Sequence, residues 1–175
     1  MDDFRLLIDL HREGHRQGPG GDRETRLAVE LSGLREAANL KVADIGCGTG
    51  ASTLVLAREL DAEITAIDLL PEFLAKLDQN AEREGLAHLI TTRSTSMETL
   101  PFAEAELDAI WSEGAIYNMG FEAGVRAWRK YLKPQGILAV SELTWLTDQR
   151  PEELQAHWEQ EYPEVDTASG KMAVL

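Results

Sequence analysis

Cysteine is nearly missing from this chain: Cys47 is the only one in 175 residues. No intrachain disulfide can form and no multi-cysteine zinc site can be built. A reducing, cytoplasmic setting is the expectation. Long apolar runs are missing too. None approaches the roughly 20 residues of a membrane helix, so no spanning segment is expected. The start, Met1-Asp2-Asp3-Phe4-Arg5, carries two acids where a secretory signal would carry positive charge. Basic residues are scarce: 17 Lys and Arg stand against 31 Asp and Glu, a net charge of −14. A surface so acidic repels phosphate backbones and anionic lipids, which argues against nucleic acid or membrane as the main partner. Internal repeats and low-complexity tracts are absent.

What remains is ordinary globular composition, 43% hydrophobic, in a length that suits one domain. Apolar positions from Asp2 to His11 suggest a short helix, and Gly18-Pro19-Gly20-Gly21 breaks the chain after it. Asp22 is placed to cap a second helix that ends near Gly33. An alternation follows. Strands are read at Leu40–Asp44, Glu63–Asp68, Leu89–Thr92, Leu107–Trp111 and Ile137–Leu143. Helices are read at Thr49–Leu60, Pro71–Gly85, Phe121–Leu132 and Pro151–Tyr162, with a turn at Pro134-Gln135-Gly136. Short apolar strands alternating with helices predict a doubly wound, Rossmann-like α/β fold. Its parallel sheet has about five strands and helices on both faces. Ligands bind such sheets at the carboxyl ends of the strands.

The loops at those ends carry the chemistry. Asp44-Ile45-Gly46-Cys47-Gly48-Thr49-Gly50 follows the first strand. Its glycines make a tight turn that a ligand can approach closely, and the next helix aims its N–H groups at the same place. Asp68 ends the second strand, 22 positions after Gly46, where a carboxylate can accept both hydroxyls of a ribose. Together they predict an adenosine-containing cofactor. Gly46, Gly48 and Ala51 also satisfy the dinucleotide fingerprint, so a nicotinamide cofactor stays open on the glycines alone. Asp44 discriminates. A second anion at the strand end repels a pyrophosphate and attracts an amine and a sulfonium.

At these residues the chain resembles the class I S-adenosylmethionine-dependent methyltransferases, over about Asp22 to Leu143, and a bacterial subgroup of small ones. The subgroup resemblance lies in residues 11–22 and 111–120. It implies S-adenosylmethionine as cofactor and a small-molecule methyl acceptor. The glycine loop, Gly46, Cys47 and Gly48, would hold the methionine portion, with Asp44 reaching its amino group. Asp68 would grip the ribose and Leu69 would pack on adenine. Ser94 to Phe102 resembles the loop after the third strand, which puts Ser96 and the Met97 backbone at the adenine edge. Ser112 lies where the fourth strand meets the cofactor. Gln17 and Gly18 belong to a segment that closes over it. Glu113 and Tyr117 face the transferred methyl and are the catalytic candidates, with Glu142 behind them. Members of the family carry two further strands after the fifth, which this chain does not reach: either it is truncated or the fold is minimal. Truncation is the expectation because a bare apolar fifth strand is an exposed edge, an edge that also makes a homodimer plausible.

The plain readings of other residues stand beside these. Cys47 is a small residue in a crowded turn rather than a nucleophile. His11 and His15, four apart, lack a carboxylate pattern that would make them metal ligands, and no metal is expected. Trp111, Trp128 and Trp158 read as packing. The expected division is a helical cap over 1–34, the cofactor-binding core over 35–145 and an acidic helical segment over 146–175. From Ser141 on there are eight acids and two bases, a solvated face. Two other functions are weighed against methyl transfer: an NAD(P)-dependent oxidoreductase, and a cofactor-binding module without catalysis.

Overall fold

The structure is a computed structural model that describes residues 3–175. Asp2, where the first helix was expected to begin, lies outside them, as do the side chains of Phe4 and Leu7. Five strands form the central sheet: β1 (Leu40–Ile45), β2 (Ala62–Asp68), β3 (Ile90–Ser94), β4 (Leu107–Glu113) and β5 (Leu132–Ser141). All pair in parallel, in the order β3-β2-β1-β4-β5. The chain winds outward from β1 to β3, then returns to lay β4 on the other side of β1. The order reverses between β1 and β4, and a crevice opens at their carboxyl ends.

Alternation along the strands sorts the core to two faces. Val42, Ile64, Ala109 and Trp111 pack with Val29 and Leu56 on one side. Those two partners come from α2 (Asp22–Ser32) and α3 (Ala51–Glu59), which follow α1 (Asp3–His11). Cys47, Ala66, Leu74 and Leu77 continue that side under α4 (Pro71–Glu84). Ala43, Ile45, Ile67 and Ile110 point the other way, onto Phe121, Val125 and Trp128. Phe121 to Trp128 is α5, shorter than expected because residues 129–131 tighten into a 3-10 turn. Helices thus cover both faces, as both-side burial of the strands demands.

The turn expected at Pro134-Gln135-Gly136 exists, but inside β5 rather than before it. Leu132 pairs with Leu107 and Ile137 with Ala109, so four residues stand opposite Asp108 alone. Gln135 takes φ 68°, and the Lys133 ammonium sits 2.8 Å from both oxygens of Asp108, which pins the bulge.

The acidic segment is more than a helix. After β5 the chain forms β6 (Thr144–Trp145), α6 (Glu152–Glu161), β7 (Asp166–Thr167) and α7 (Ala168–Met172). β6 and β7 pair in parallel as a small second sheet. No helix among the described residues is long and apolar enough to cross a membrane.

Candidate functional site

A cavity of about 570 Å³ opens at the carboxyl ends of the strands, by the reversal of strand order. Its floor is the turn after β1. Gly46 and Gly48 face the opening with almost no room to spare. A Cβ on Gly46 would overlap that of Ala115, and one on Gly48 would overlap the Gln17 side chain. Bare backbone is what lets a ligand lie against this turn.

Asp68 forms the second wall. Its Oδ2 accepts the Gly48 N–H at 2.9 Å and its Oδ1 accepts the Leu70 N–H at 2.9 Å. Each oxygen keeps a second lone pair for a ligand hydroxyl. Burial raises the Asp68 pKa, and the backbone N–H groups of Leu70, Gly48 and Leu69 oppose the rise. Leu69 beside it leaves 63% of its surface exposed, an apolar shelf at the cavity rim. Ser96 and Met97 line the same end. The Trp128 indole N–H donates to the Met97 carbonyl at 2.9 Å and so holds their loop in place. Trp128, read from the sequence as packing, therefore also positions that loop.

Asp44 lies one layer beneath the turn and does not line the cavity. It is fully buried, and its Oδ2 accepts the hydroxyls of Ser52 at 2.8 Å and Thr53 at 2.6 Å. Its Oδ1 has no hydrogen-bond partner among the described residues. Burial pushes its pKa up to about 6 against the pull of the two hydroxyls, so near neutral pH a buried negative charge lies under the glycine turn. Cys47 lines the cavity as a buried thiol whose pKa burial raises, with Asp44 and Asp68 adding to the rise. That suits a neutral packing residue.

Ser112, expected among the cofactor contacts, is turned away from the cavity. It is fully buried and its hydroxyl donates to the Ile45 carbonyl at 2.8 Å, which locks β4 to β1. The next residue, Glu113, does face the cavity, but both of its oxygens are engaged. Oε2 pairs with Arg16 at 2.6 Å and accepts the Thr25 hydroxyl at 3.0 Å, and Oε1 accepts the Trp111 indole N–H at 2.8 Å. Arg16, Thr25 and Trp111 were not expected around Glu113. The first two are 97 and 88 residues away in the chain, so no spacing rule could join them.

Gln17 and Gly18 reach the cavity from the segment between α1 and α2. Thr49 donates its backbone N–H to Gln17 Oε1 at 3.1 Å, and Gln17 Nε2 donates to Thr49 Oγ1 at 2.8 Å. Tyr117 lines the far end with Asn118 and Met119, half exposed, its ring edge-to-face with Tyr162 at 6.1 Å. Glu142 does not reach the cavity. It is paired with Lys171 at 3.2 Å in a buried cluster that includes the Tyr162 hydroxyl.

An adenosyl-sulfonium cofactor fits these residues on two observations. The turn at Gly46 and Gly48 presents bare backbone to the cavity, and the space a Cβ would need is already taken by Ala115 and Gln17. The buried, unsatisfied Asp44 oxygen under that turn calls for a cation or donor above it.

Comparisons with known proteins agree with the fold. The chain is 34% identical over 146 residues to a malonyl-[acyl-carrier protein] O-methyltransferase of Herminiimonas arsenicoxydans, covering 82% of this chain and 53% of that one. Among solved structures it is similar to the [4+2]-cyclase SpnF, at 25% identity and TM-score 0.74, over 91% of this chain and 58% of that one. A methyltransferase from Geobacter sulfurreducens, solved with S-adenosyl-L-homocysteine, superposes with TM-score 0.74 at 20% identity, over 97% of this chain and 67% of that one. The chain spans about half the length, or less, of the curated relatives it matches. Residues 42–136, more than half of the chain, match a family described as a methyltransferase domain, and the chain belongs to that family.

Proposed function

We propose that the chain binds S-adenosylmethionine in this cavity and serves the transfer of its methyl group to a small-molecule acceptor. The observation that carries the reading is the Gly48–Asp68 hydrogen bond of 2.9 Å. It joins a turn built for close approach to a carboxylate built for a ribose. The cavity charge agrees. Asp68, Glu98 and Glu113 line it with one cation, Arg16, and Asp44 lies just beneath. A cationic cofactor is attracted there, and the pyrophosphate of a nicotinamide cofactor is repelled.

When bound, the cofactor supplies a methyl group already activated by a positive sulfur, so the protein's work is binding and alignment. Asp68 would hold the ribose hydroxyls, Leu69 and Met97 would flank adenine, and Gln17 and Gly18 would cover the methionine end. Tyr117 and Met119 would shape the acceptor end and keep water out. Of the two catalytic candidates, Tyr117 carries the freer side chain. The oxygens of Glu113 are committed to Arg16, Thr25 and Trp111. A net charge of −14 favours a small acceptor over a nucleic acid.

Titration calorimetry with S-adenosylmethionine, S-adenosylhomocysteine and NAD(P) tests the cofactor, and transfer of labelled methyl to a panel of amines, thiols and carboxylic acids tests the reaction. Tight NAD(P) binding without response to either sulfur compound would overturn the reading. The likeness to SpnF, a [4+2]-cyclase, motivates a second one, since one fold serves different chemistries. Binding of S-adenosylhomocysteine with no methyl transfer in any panel member, by this chain or a longer one, would favour that alternative.

A further inference from the structure

We infer that Glu113 is a positioning residue: acting through Arg16, it sets the glycine-rich segment 12–21 against the cofactor end of the cavity, and proton removal is not its task. The inference rests on the proposed cofactor reading for its consequence, but its geometry stands alone. The segment has little apolar side chain of its own. Gly14, Gly18, Pro19, Gly20 and Gly21 supply half of its length and the rest is polar, so hydrophobic burial cannot fix its position. What fixes it is polar. Gln17 and Thr49 exchange two hydrogen bonds, and the Thr49 hydroxyl donates to the Gly14 carbonyl at 2.9 Å. Between Gly14 and Gln17, Arg16 points to a second anchor and reaches Glu113 at 2.6 Å and Thr25 Oγ1 at 3.1 Å.

Glu113 is the hub of that second anchor. It ends β4, which cannot move with the segment, and the Trp111 indole N–H holds its other oxygen from the same strand. Thr25 adds the first turn of α2 to the same carboxylate. Arg16 and Glu113 each leave only 13% of the side chain exposed, so water does little to weaken the pair. Gly18 then comes to rest beside Gly114, where a Cβ on either would sit 3.9 Å from the other's Cα. A carboxylate whose oxygens are engaged by three donors is a good anchor, and it turns no free oxygen toward a ligand.

Two variants test this on the full chain: Glu113→Gln and Arg16→Met. Backbone amide exchange of the unliganded protein reads the anchor directly. Both variants should speed exchange across residues 12–21 about ten-fold or more, the weight of one charged hydrogen bond, and leave β1 and α3 as in wild type. Dissociation of S-adenosylhomocysteine, followed by stopped flow, should quicken by a similar factor in both. Arg16→Met decides between roles, because it frees Glu113 as a base while removing the anchor. Wild-type exchange in 12–21 and an unchanged dissociation rate in Arg16→Met would overturn the inference, even if Glu113→Gln failed to fold. If wild type binds no S-adenosylhomocysteine, the cofactor reading falls, and the exchange measurement still decides the anchor.

Discussion

Asp68 accepts the backbone N–H of Gly48 at 2.9 Å, so the end of β2 is bonded to the turn after β1 across the floor of the cavity. The same side chain accepts the Leu70 N–H that opens α4. Asp68→Ala removes both acceptors and the proposed ribose contact together. Affinity for S-adenosylhomocysteine should fall about 100-fold, as expected for two lost hydrogen bonds to a charged group. Stability should fall by about 1–3 kcal/mol, because two backbone donors lose their partner. Calorimetry and urea unfolding measure the two effects separately. Unchanged affinity would remove Asp68 from the site.

Gly46→Ala should be costly in a way that Gly85→Ala is not. Both glycines have φ 73°, where a Cβ costs about 1 kcal/mol. Gly85 opens to space, whereas a Cβ on Gly46 overlaps that of Ala115. The overlap adds roughly 1–3 kcal/mol of overpacking and pushes the loop after β4 out of the cavity wall. Denaturant midpoints of the two variants, compared at equal m-value, isolate that extra cost. Equal midpoints would mean that the wall yields freely.

Asp44 makes stability and binding respond to pH in opposite senses. Its carboxyl titrates at about 6 in the folded chain and near 3.8 when unfolded. Between those values the folded state holds the extra proton, so stability falls as pH rises through the window. The loss is on the order of 3 kcal/mol and is complete above about pH 6. Asp44→Asn keeps an acceptor for Ser52 and Thr53 and cannot ionise, so its stability should lack this component. The wild-type minus variant difference across pH 4–7 is the measurement. A cationic ligand above the turn favours the ionised form. Affinity for S-adenosylmethionine should therefore rise through pH 6 in wild type and stay flat in Asp44→Asn.

Much of this site is written in local patterns. The glycine turn, the strand-end carboxylate and the loop at Ser96 and Met97 each follow a strand whose apolar run marks it, and strand order brings them together. Ser112 escaped that reasoning because alternation along β4 turns its hydroxyl to the Ile45 carbonyl, while Glu113 takes the cavity-facing place. The bulge at Gln135 was legible as a turn but not as part of β5, since only pairing with β4 reveals that the strand resumes in register. Arg16 and Thr25 reach Glu113 from 97 and 88 residues away, and no local pattern joins them. Lys171 is the sharpest miss. In an acidic segment read as solvated, it is 7% exposed.

That lysine supports the last prediction. Its ammonium pairs with Glu142 at 3.2 Å, meets the Tyr162 hydroxyl at 3.2 Å, and lies 4.7 Å from the centre of the Phe121 ring. Burial, then Glu142, raises the Tyr162 pKa, so the phenol stays neutral and can serve the cluster as a dipole. Lys171→Met keeps the aliphatic stem but leaves the Glu142 carboxylate buried without its cation. Glu142 Oε2 already has no hydrogen-bond partner among the described residues, which leaves the neutral Tyr162 hydroxyl as the neighbouring donor and no cation beside the carboxylate. The variant should lose about 3–5 kcal/mol, the usual cost of breaking a buried pair from one side. Adding Glu142→Gln removes the stranded charge and should restore a good part of that loss. Double-mutant-cycle unfolding of the four proteins measures the coupling. If the double variant were no more stable than Lys171→Met alone, the charge on Glu142 would not be what the lysine neutralises. The cluster also stands behind Tyr117 through the Tyr117–Tyr162 ring contact, so the same variants should shift the acceptor-end wall while leaving affinity for S-adenosylhomocysteine close to wild type.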